Sequence, residues 1–310
     1  MSFSSNVKEE LLSIEVENPC CIKSMAYGML LFGRSFNYSS ISMMTDNENV
    51  AYKYKEIVKA ATNVEADLTV TQSGKYILSV ESEEDRKTVF DVFNLTGKET
   101  SLRINRSILT NEADDENGCC FSSFIRGAFL SCATICDPNK MYSLEFIVPY
   151  MKLSEDLKAL LTEVGIEPKI TSRRGVRIVY YKGSSNIEDV LTLMGATMSS
   201  LEIMSIKVYK DVRNRVNRRV NFENANISRT VDAAMNQIQA IEYISEAVGI
   251  DSLPDELKTM ALLRTENPDM SLRELGEIFE PPITRSAVNH KLNKIMEFYK
   301  TILKEQETEF

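Results

Sequence analysis

The sequence predicts an α+β protein in two parts: a duplicated N-terminal domain with pseudo-twofold symmetry, followed by an all-α helix-turn-helix domain. Three observations lead there. Adjacent cysteines recur as Cys20-Cys21 and Cys119-Cys120, and Gly28 recurs as Gly127, all at a shift of 99 residues. After each marker the same succession of apolar patterns runs along the chain. Near the C-terminus, two amphipathic segments flank Pro281-Pro282, the arrangement of a helix, a turn and a second helix. The expected boundaries are 1–214 for the duplicated domain, with halves at about 1–98 and 106–206, a basic linker at 215–222, and the helical domain at 223–310.

Within each half the elements follow one order: helix, strand, helix, hairpin, helix. FNYSSISMM at 36–44 and MYSLEFIVP at 141–149 alternate as strands do. Helical spacing follows in YKEIVKAATNV and in LSEDLKALLTEVG. Two short strands around a turn come next, ADLTVTQSGKYILSV and PKITSRRGVRIVYY, with Gly74 and Gly175 at the turns. EEDRKTVFDVF and NIEDVLTLM close the halves as helices. The stretch 99–118 is expected to join them as part strand, part exposed acidic turn. A helix is then expected from Ser199 through KVYKDVRNRV, fading near Asn221, with Asn221, Asn224 and Asn226 as caps for its successor. That successor places Ile227, Val231, Ala234, Ile238, Ile241 and Val248 on one seam, expected to pack onto its own domain rather than form a coiled coil.

Charge is unevenly spread. The chain of 310 residues carries a net charge of −9, yet 207–219 alone holds six basic groups against one acid. Positive charge is thus concentrated where an anionic polymer could be met locally. The N-terminus MSFSSNVKEELLS lacks a basic patch followed by an apolar run, and no stretch is apolar for the length of a bilayer. A cytoplasmic, nucleoid-associated protein with no membrane partner is expected. The cysteine pairs lack the C-x-x-C spacing of zinc sites, so they read as small core thiols in a reducing compartment, with no metal. Phosphate-cradling glycine loops are missing, and the single histidine, His290, leaves no His-based relay in the N-terminal domain. No cofactor is expected.

The most informative segment is MSLRELGEIFEPPITRSAVNHKLNKIMEFY, 270–299. Ser271 and Glu274 have the spacing of a capping box, and Leu272, Leu275, Ile278 and Phe279 would form the apolar face of the helix it starts. Pro281 and Pro282 stop that helix. Thr284 can cap a second one, with Val288, Leu292, Ile295 and Tyr299 as its buried stripe. The opposite face then collects Ser286, Asn289, His290, Asn293 and Lys294, with Arg285 in the first turn. Asn can bond two adenine edge atoms, and Arg can do the same with guanine. Lys291 and Lys294 suit phosphates. Further candidate phosphate contacts are Lys210, Arg213, Arg215, Arg218 and Arg219 in the basic segment, and Arg173 and Arg174 in the second hairpin.

These residues carry a resemblance. The 270–299 segment resembles region 4 of bacterial sigma factors, without a companion promoter-melting region. The duplicated part is similar to LAGLIDADG homing endonucleases, whose signature helices correspond to AYGMLLFGRSF at 26–36 and FIRGAFLSCATI at 124–135. With RVNRRVNFENAN at 215–226 and VNHKLNKI, the whole chain resembles the WhiA family. The resemblance implies a regulator tied to sporulation in some bacteria and to cell division and chromosome segregation in others. In the nucleases an acid ends each signature helix and holds metal; the matching positions here are Gly33 and Cys132, the lost catalytic positions. Tyr27 and its methionine-rich surroundings read as core packing.

The expectation is a non-enzymatic, sequence-specific binder of double-stranded DNA that regulates transcription. An alternative keeps the helix-turn-helix and makes the N-terminal domain a platform for a division, segregation or transcription protein.

Overall fold

Two helices that are apolar nearly all round organise the N-terminal region. The computed structural model describes residues 2–99, 101–110 and 118–308. Helix α1 (Phe3–Leu12), capped by Ser2, precedes α2 (Pro19–Leu31), whose residues 24–31 are all buried. Its repeat counterpart α5 (Cys119–Cys132) is buried throughout 123–130. Helices buried on every side belong at a domain centre. They cross at the repeated glycines: a Cβ on Gly28 would lie 2.3 Å from the Phe124 carbonyl oxygen, and one on Gly127 would lie 2.2 Å from that of Met25. Only hydrogen fits at either crossing point.

A four-stranded antiparallel sheet follows each central helix. The first pairs β1 (Ser35–Asn37), β2 (Ser40–Thr45), β4 (Tyr76–Ser79) and β3 (Asp67–Val70) in that order. The second repeats it with β5 (Ala133–Ile135), β6 (Leu144–Val148), β8 (Val176–Tyr181) and β7 (Lys169–Arg173). Register sends one face inward: Phe36 opposite Ile41 and Met43 opposite Leu78 are buried, as are Phe146 opposite Val179 and Leu144 opposite Tyr181. Helices α3 (Glu48–Thr62) and α4 (Glu83–Val92) complete the first half, α6 (Met151–Glu163) and α7 (Ser184–Met194) the second. The duplication expected from a 99-residue shift is thus present element by element.

Some expected elements differ. The alternating run 36–44 is a hairpin, because the Asn37 side chain accepts from the Ser39 and Ser40 amides and turns the chain. The second signature helix stops at Cys132, since Ala133, Thr134 and Ile135 pair with Phe146, Glu145 and Leu144. Between the halves, the described residues 101–110 hold no strand but a 3₁₀ turn, Arg106–Ile108, capped by Asn105. The acidic cluster of 99–118, expected in an exposed turn, falls within 111–117 and lies outside the described residues.

Helix α8 (Thr197–Ala247) is the largest departure. It runs 51 residues without fading at Asn221, and Asn221, Asn224 and Asn226 lie inside it rather than at caps. The stretch 215–222, expected as a linker, is helical. No proline or glycine occurs from 197 to 247, and interior asparagine costs only a few tenths of a kcal/mol, so nothing stops propagation. Its start is held from a distance: the Glu10 carboxylate accepts from the Met198 and Ser199 amides at 2.7 and 2.9 Å. Compactness divides the chain into Met1–Lys210 and Asp211–Phe310.

In the second unit, α9 (Asp255–Glu266), α10 (Leu272–Ile278) and α11 (Arg285–Thr308) close around the end of α8. The expected seam packs only in part. Ala234 and Ile241 are buried, but Ile227 and Val231 are exposed, so packing onto this unit begins at Ala234. Among the described residues, no helix is long and apolar enough to cross a membrane.

Candidate nucleic-acid interface

Helix α10 starts where the capping box predicts. The Ser271 amide donates to Glu274 Oε2 at 2.8 Å, and the Glu274 amide donates to Ser271 Oγ at 3.3 Å. That geometry holds the Glu274 carboxyl below its ordinary range, through the Ser271 amide first and its hydroxyl second. Leu275 and Phe279 are buried as expected, but Ile278 is exposed; the inward place is taken by Gly276. A Cβ there would lie 2.4 Å from the Ile283 carbonyl oxygen, and the Ile283 amide donates to the Gly276 carbonyl at 2.9 Å. The turn between the helices therefore requires a glycine, which the apolar pattern alone does not mark.

Thr284 opens α11 by accepting from the Ala287 amide at 3.3 Å. Val288, Leu292 and Ile295 are buried beneath it, and the Tyr299 ring sits edge-on to Tyr243, centroids 5.3 Å apart. On the other side Arg285, Ser286, Asn289, His290, Asn293 and Lys294 are all exposed. The structure brings these six together on one strip, as the helical period requires.

Lys291 is drawn away from that strip. Its ammonium pairs with Glu256 and lies 5.4 Å from the Phe279 ring centre, and its side chain is half-buried. Lysine hydrogen bonding in turn lowers the Glu256 pKa. The α11 residues Arg285 and Asn289 share a cleft of about 610 Å³ with Arg273 at the start of α10 and with Asn226, Arg229 and Thr230 on α8. Sequence reading missed Arg229 and Arg273. The available signal for Arg273 was its place two residues after the capping serine. Beneath the cleft, buried Arg264 donates to the Met270 and Pro268 carbonyls at 2.6 and 3.1 Å, bracing the loop before α10.

The other basic candidates divide. Lys210 donates to the Pro138 carbonyl at 2.6 Å and lies over the Tyr142 ring, so its charge is committed within the first unit. Arg219 pairs with Glu223 at 2.9 Å, whereas Arg213, Arg215 and Arg218 are exposed on α8. Arg173 stands 4.0 Å from Glu145, and Arg174 is exposed in the hairpin turn at φ 51°.

At the C-terminal ends of α2 and α5 lies a separate cleft of about 620 Å³, lined by Gly33, Cys132, Lys8, Arg34, Lys75 and Asp46 among others. The lining offers one carboxylate against three cations. Desolvation pushes the Cys132 thiol up and pulls the Lys8 ammonium down, with Asp46 opposing the shift of Lys8. A Cβ on Gly33 would lie 2.8 Å from the Ser42 carbonyl oxygen, which leaves no room for an acidic side chain.

Comparison with known proteins agrees with this architecture. Residues 121–213 match the family described as WhiA LAGLIDADG-like domain, and 216–299 match that described as WhiA C-terminal HTH domain. A protein of Alkaliphilus metalliredigens named "Probable cell division protein WhiA" is 36% identical, over 95% of this chain and 96% of its own. The chain belongs to the WhiA family. A Clostridium tetani WhiA of the same name is 33% identical over 98% of this chain and 99% of its own. The crystal structure of full-length DUF199/WhiA from Thermatoga maritima superposes with a TM-score of 0.56 and 25% identity, over 97% of this chain and 99% of that one. This WhiA-family chain therefore combines a LAGLIDADG-like domain with a helix-turn-helix domain.

Proposed function

We propose that the chain is a sequence-specific, non-enzymatic DNA-binding protein that regulates transcription in cell division, chromosome segregation or sporulation. The observation that carries the reading is the exposed strip of Arg285, Ser286, Asn289, His290, Asn293 and Lys294 on α11, with the opposite side of that helix sealed in the core. An α-helix fits the major groove, and recognition helices touch bases mainly with their N-terminal half, where Arg285, Ser286 and Asn289 lie. Exposed Arg213, Arg215 and Arg218 supply phosphate contacts in this reading. Relatives named for cell division support the cellular setting.

The non-enzymatic part rests on the first unit. Hard divalent cations need oxygen ligands, and at the two positions where the resemblance to the nucleases places them, the side chains of Gly33 and Cys132 provide none. A second reading has an observation of its own. The cleft between the two sheets is lined by the exposed Met44, Ile147 and Val176, and neighbouring Arg173 is partnered by Glu145. The exposed apolar side chains of that cleft suit a protein partner better than a phosphate backbone.

Mapping bound chromosomal sites for the full chain and for an Arg285→Ala, Asn289→Ala variant tests the proposal. Focal sites should vanish while weak general binding persists. Unchanged focal sites would reject α11 as the base-reading element.

A further inference from the structure

The cysteine pairs assigned to core packing meet in space. Cys20 and Cys21 stand in the first turn of α2, Cys119 and Cys120 in the first turn of α5. All four sulfurs lie within 4.8 Å of one another, with Cys20 Sγ and Cys21 Sγ 4.0 Å apart. We propose that these four thiols form a structural zinc site that clamps the two halves together at the N-terminal ends of the central helices. Each pair lacks ligand spacing by itself; the pseudo-twofold supplies the other two donors, a signal that only the duplication carries.

The geometry fits. In a tetrahedral zinc tetrathiolate with zinc–sulfur bonds of about 2.3 Å, neighbouring sulfurs stand about 3.8 Å apart, which side-chain rotation reaches from the observed separations. Binding exchanges four S–H bonds for four zinc–sulfur bonds and releases the protons to solvent, leaving two net negative charges. Three features receive that charge. Both helices begin without a side-chain cap, so no side chain already engages the positive end of either helix dipole, where the sulfurs stand. Neither first turn carries an acid. The Arg126 guanidinium, buried and anchored to the Met194 carbonyl at 2.9 Å, lines the same cavity as Cys21 and Cys119. Cys20 and Cys119 are half-buried, and Cys119 and Cys120 line an open cavity of about 300 Å³, which gives an ion a route in.

The test uses the untagged full chain, purified under reducing conditions and analysed for metals. The expected result is one zinc per chain, no iron, and one readily titratable thiol before denaturation, the exposed Cys136. Cobalt exchanged into the protein should give the visible absorption of a tetrahedral tetrathiolate. Cys20→Ser with Cys120→Ser should abolish both signals, whereas Cys136→Ser should keep both. The wild-type cobalt spectrum decides the matter even if the double variant fails to fold. Six free thiols with no bound metal, disulfides between the pairs, or a cobalt spectrum that survives the double variant would each overturn the proposal.

Discussion

Arg285, Lys291 and Lys294 are three cations on one helix, and their surroundings predict three different losses. Arg285 stands exposed in the first turn, where a guanidinium can address guanine edges. Arg285→Ala should cost about 1–3 kcal/mol on the preferred sequence and little on random DNA. Lys294→Ala should weaken every sequence alike and lower the slope of log affinity against log salt by about one. Lys291→Ala should leave that slope unchanged, because the ammonium is already spent on Glu256. Fluorescence anisotropy over a salt series separates the three; identical losses would mean a generic cationic face. The exposed strip was legible because it follows from 100° per residue. The fate of Lys291 was not, since its partner lies 35 positions away in sequence. Gly33 makes a similar point. An acid missing from a pattern is visible in the letters, but the Ser42 carbonyl that blocks its return is not. Gly33→Asp should therefore lower thermal stability and yield no plasmid cleavage with Mg²⁺ or Mn²⁺; clean protein-dependent cuts would reject that reading.

At the scale of elements, the helix-turn-helix depends on two local devices that can be tested apart. Gly276→Ala forces a methyl into the Ile283 carbonyl, where backbone must move. Overpacking of this kind costs typically 1–3 kcal/mol, so the melting temperature of the 211–310 unit should fall by roughly 10 °C. An unchanged transition in calorimetry would mean that the turn tolerates a side chain. The capping box gives a pH signature. Because the folded pKa of Glu274 is depressed, its contribution is complete above the ordinary carboxylate value and is lost as pH falls through the folded one. Glu274→Gln should flatten the acid limb of stability, with its loss of stability greatest near neutrality and vanishing as pH falls through the folded value. A wild-type acid limb in that variant would place the effect elsewhere. Capping box, proline stop and repeated hairpins were legible because each is a short-range device. Strands β1 and β5 were not, for three residues are too few to display alternation, and their existence rests on pairing with β2 and β6. The unbroken course of α8 was hidden differently: asparagines that cap some helices are merely tolerated here, where no proline or glycine follows.

The described residues form two cores rather than one. The first gathers apolar side chains between Phe3 and Ile203, the second between Ile241 and Ile302. Along α8, every residue from 211 to 233 is exposed, so this stretch is stabilised by local propensity and pairs such as Arg219–Glu223 rather than by burial. Helices supported in that way open easily. Amides of 211–233 should therefore exchange with deuterium faster than those of α8 near Ile203 or Ile244, where burial protects them. Two cores joined by such a segment should also melt as two cooperative events. Glu10→Ala removes the carboxylate that accepts the Met198 and Ser199 amides and should shift only the transition of the first unit. Gly276→Ala should shift only that of the second. Differential scanning calorimetry of the full chain and both variants reads this directly. A single transition that moves with either substitution would show that stability is shared across the molecule, and that a change at the LAGLIDADG-like domain alters the energetics of α11.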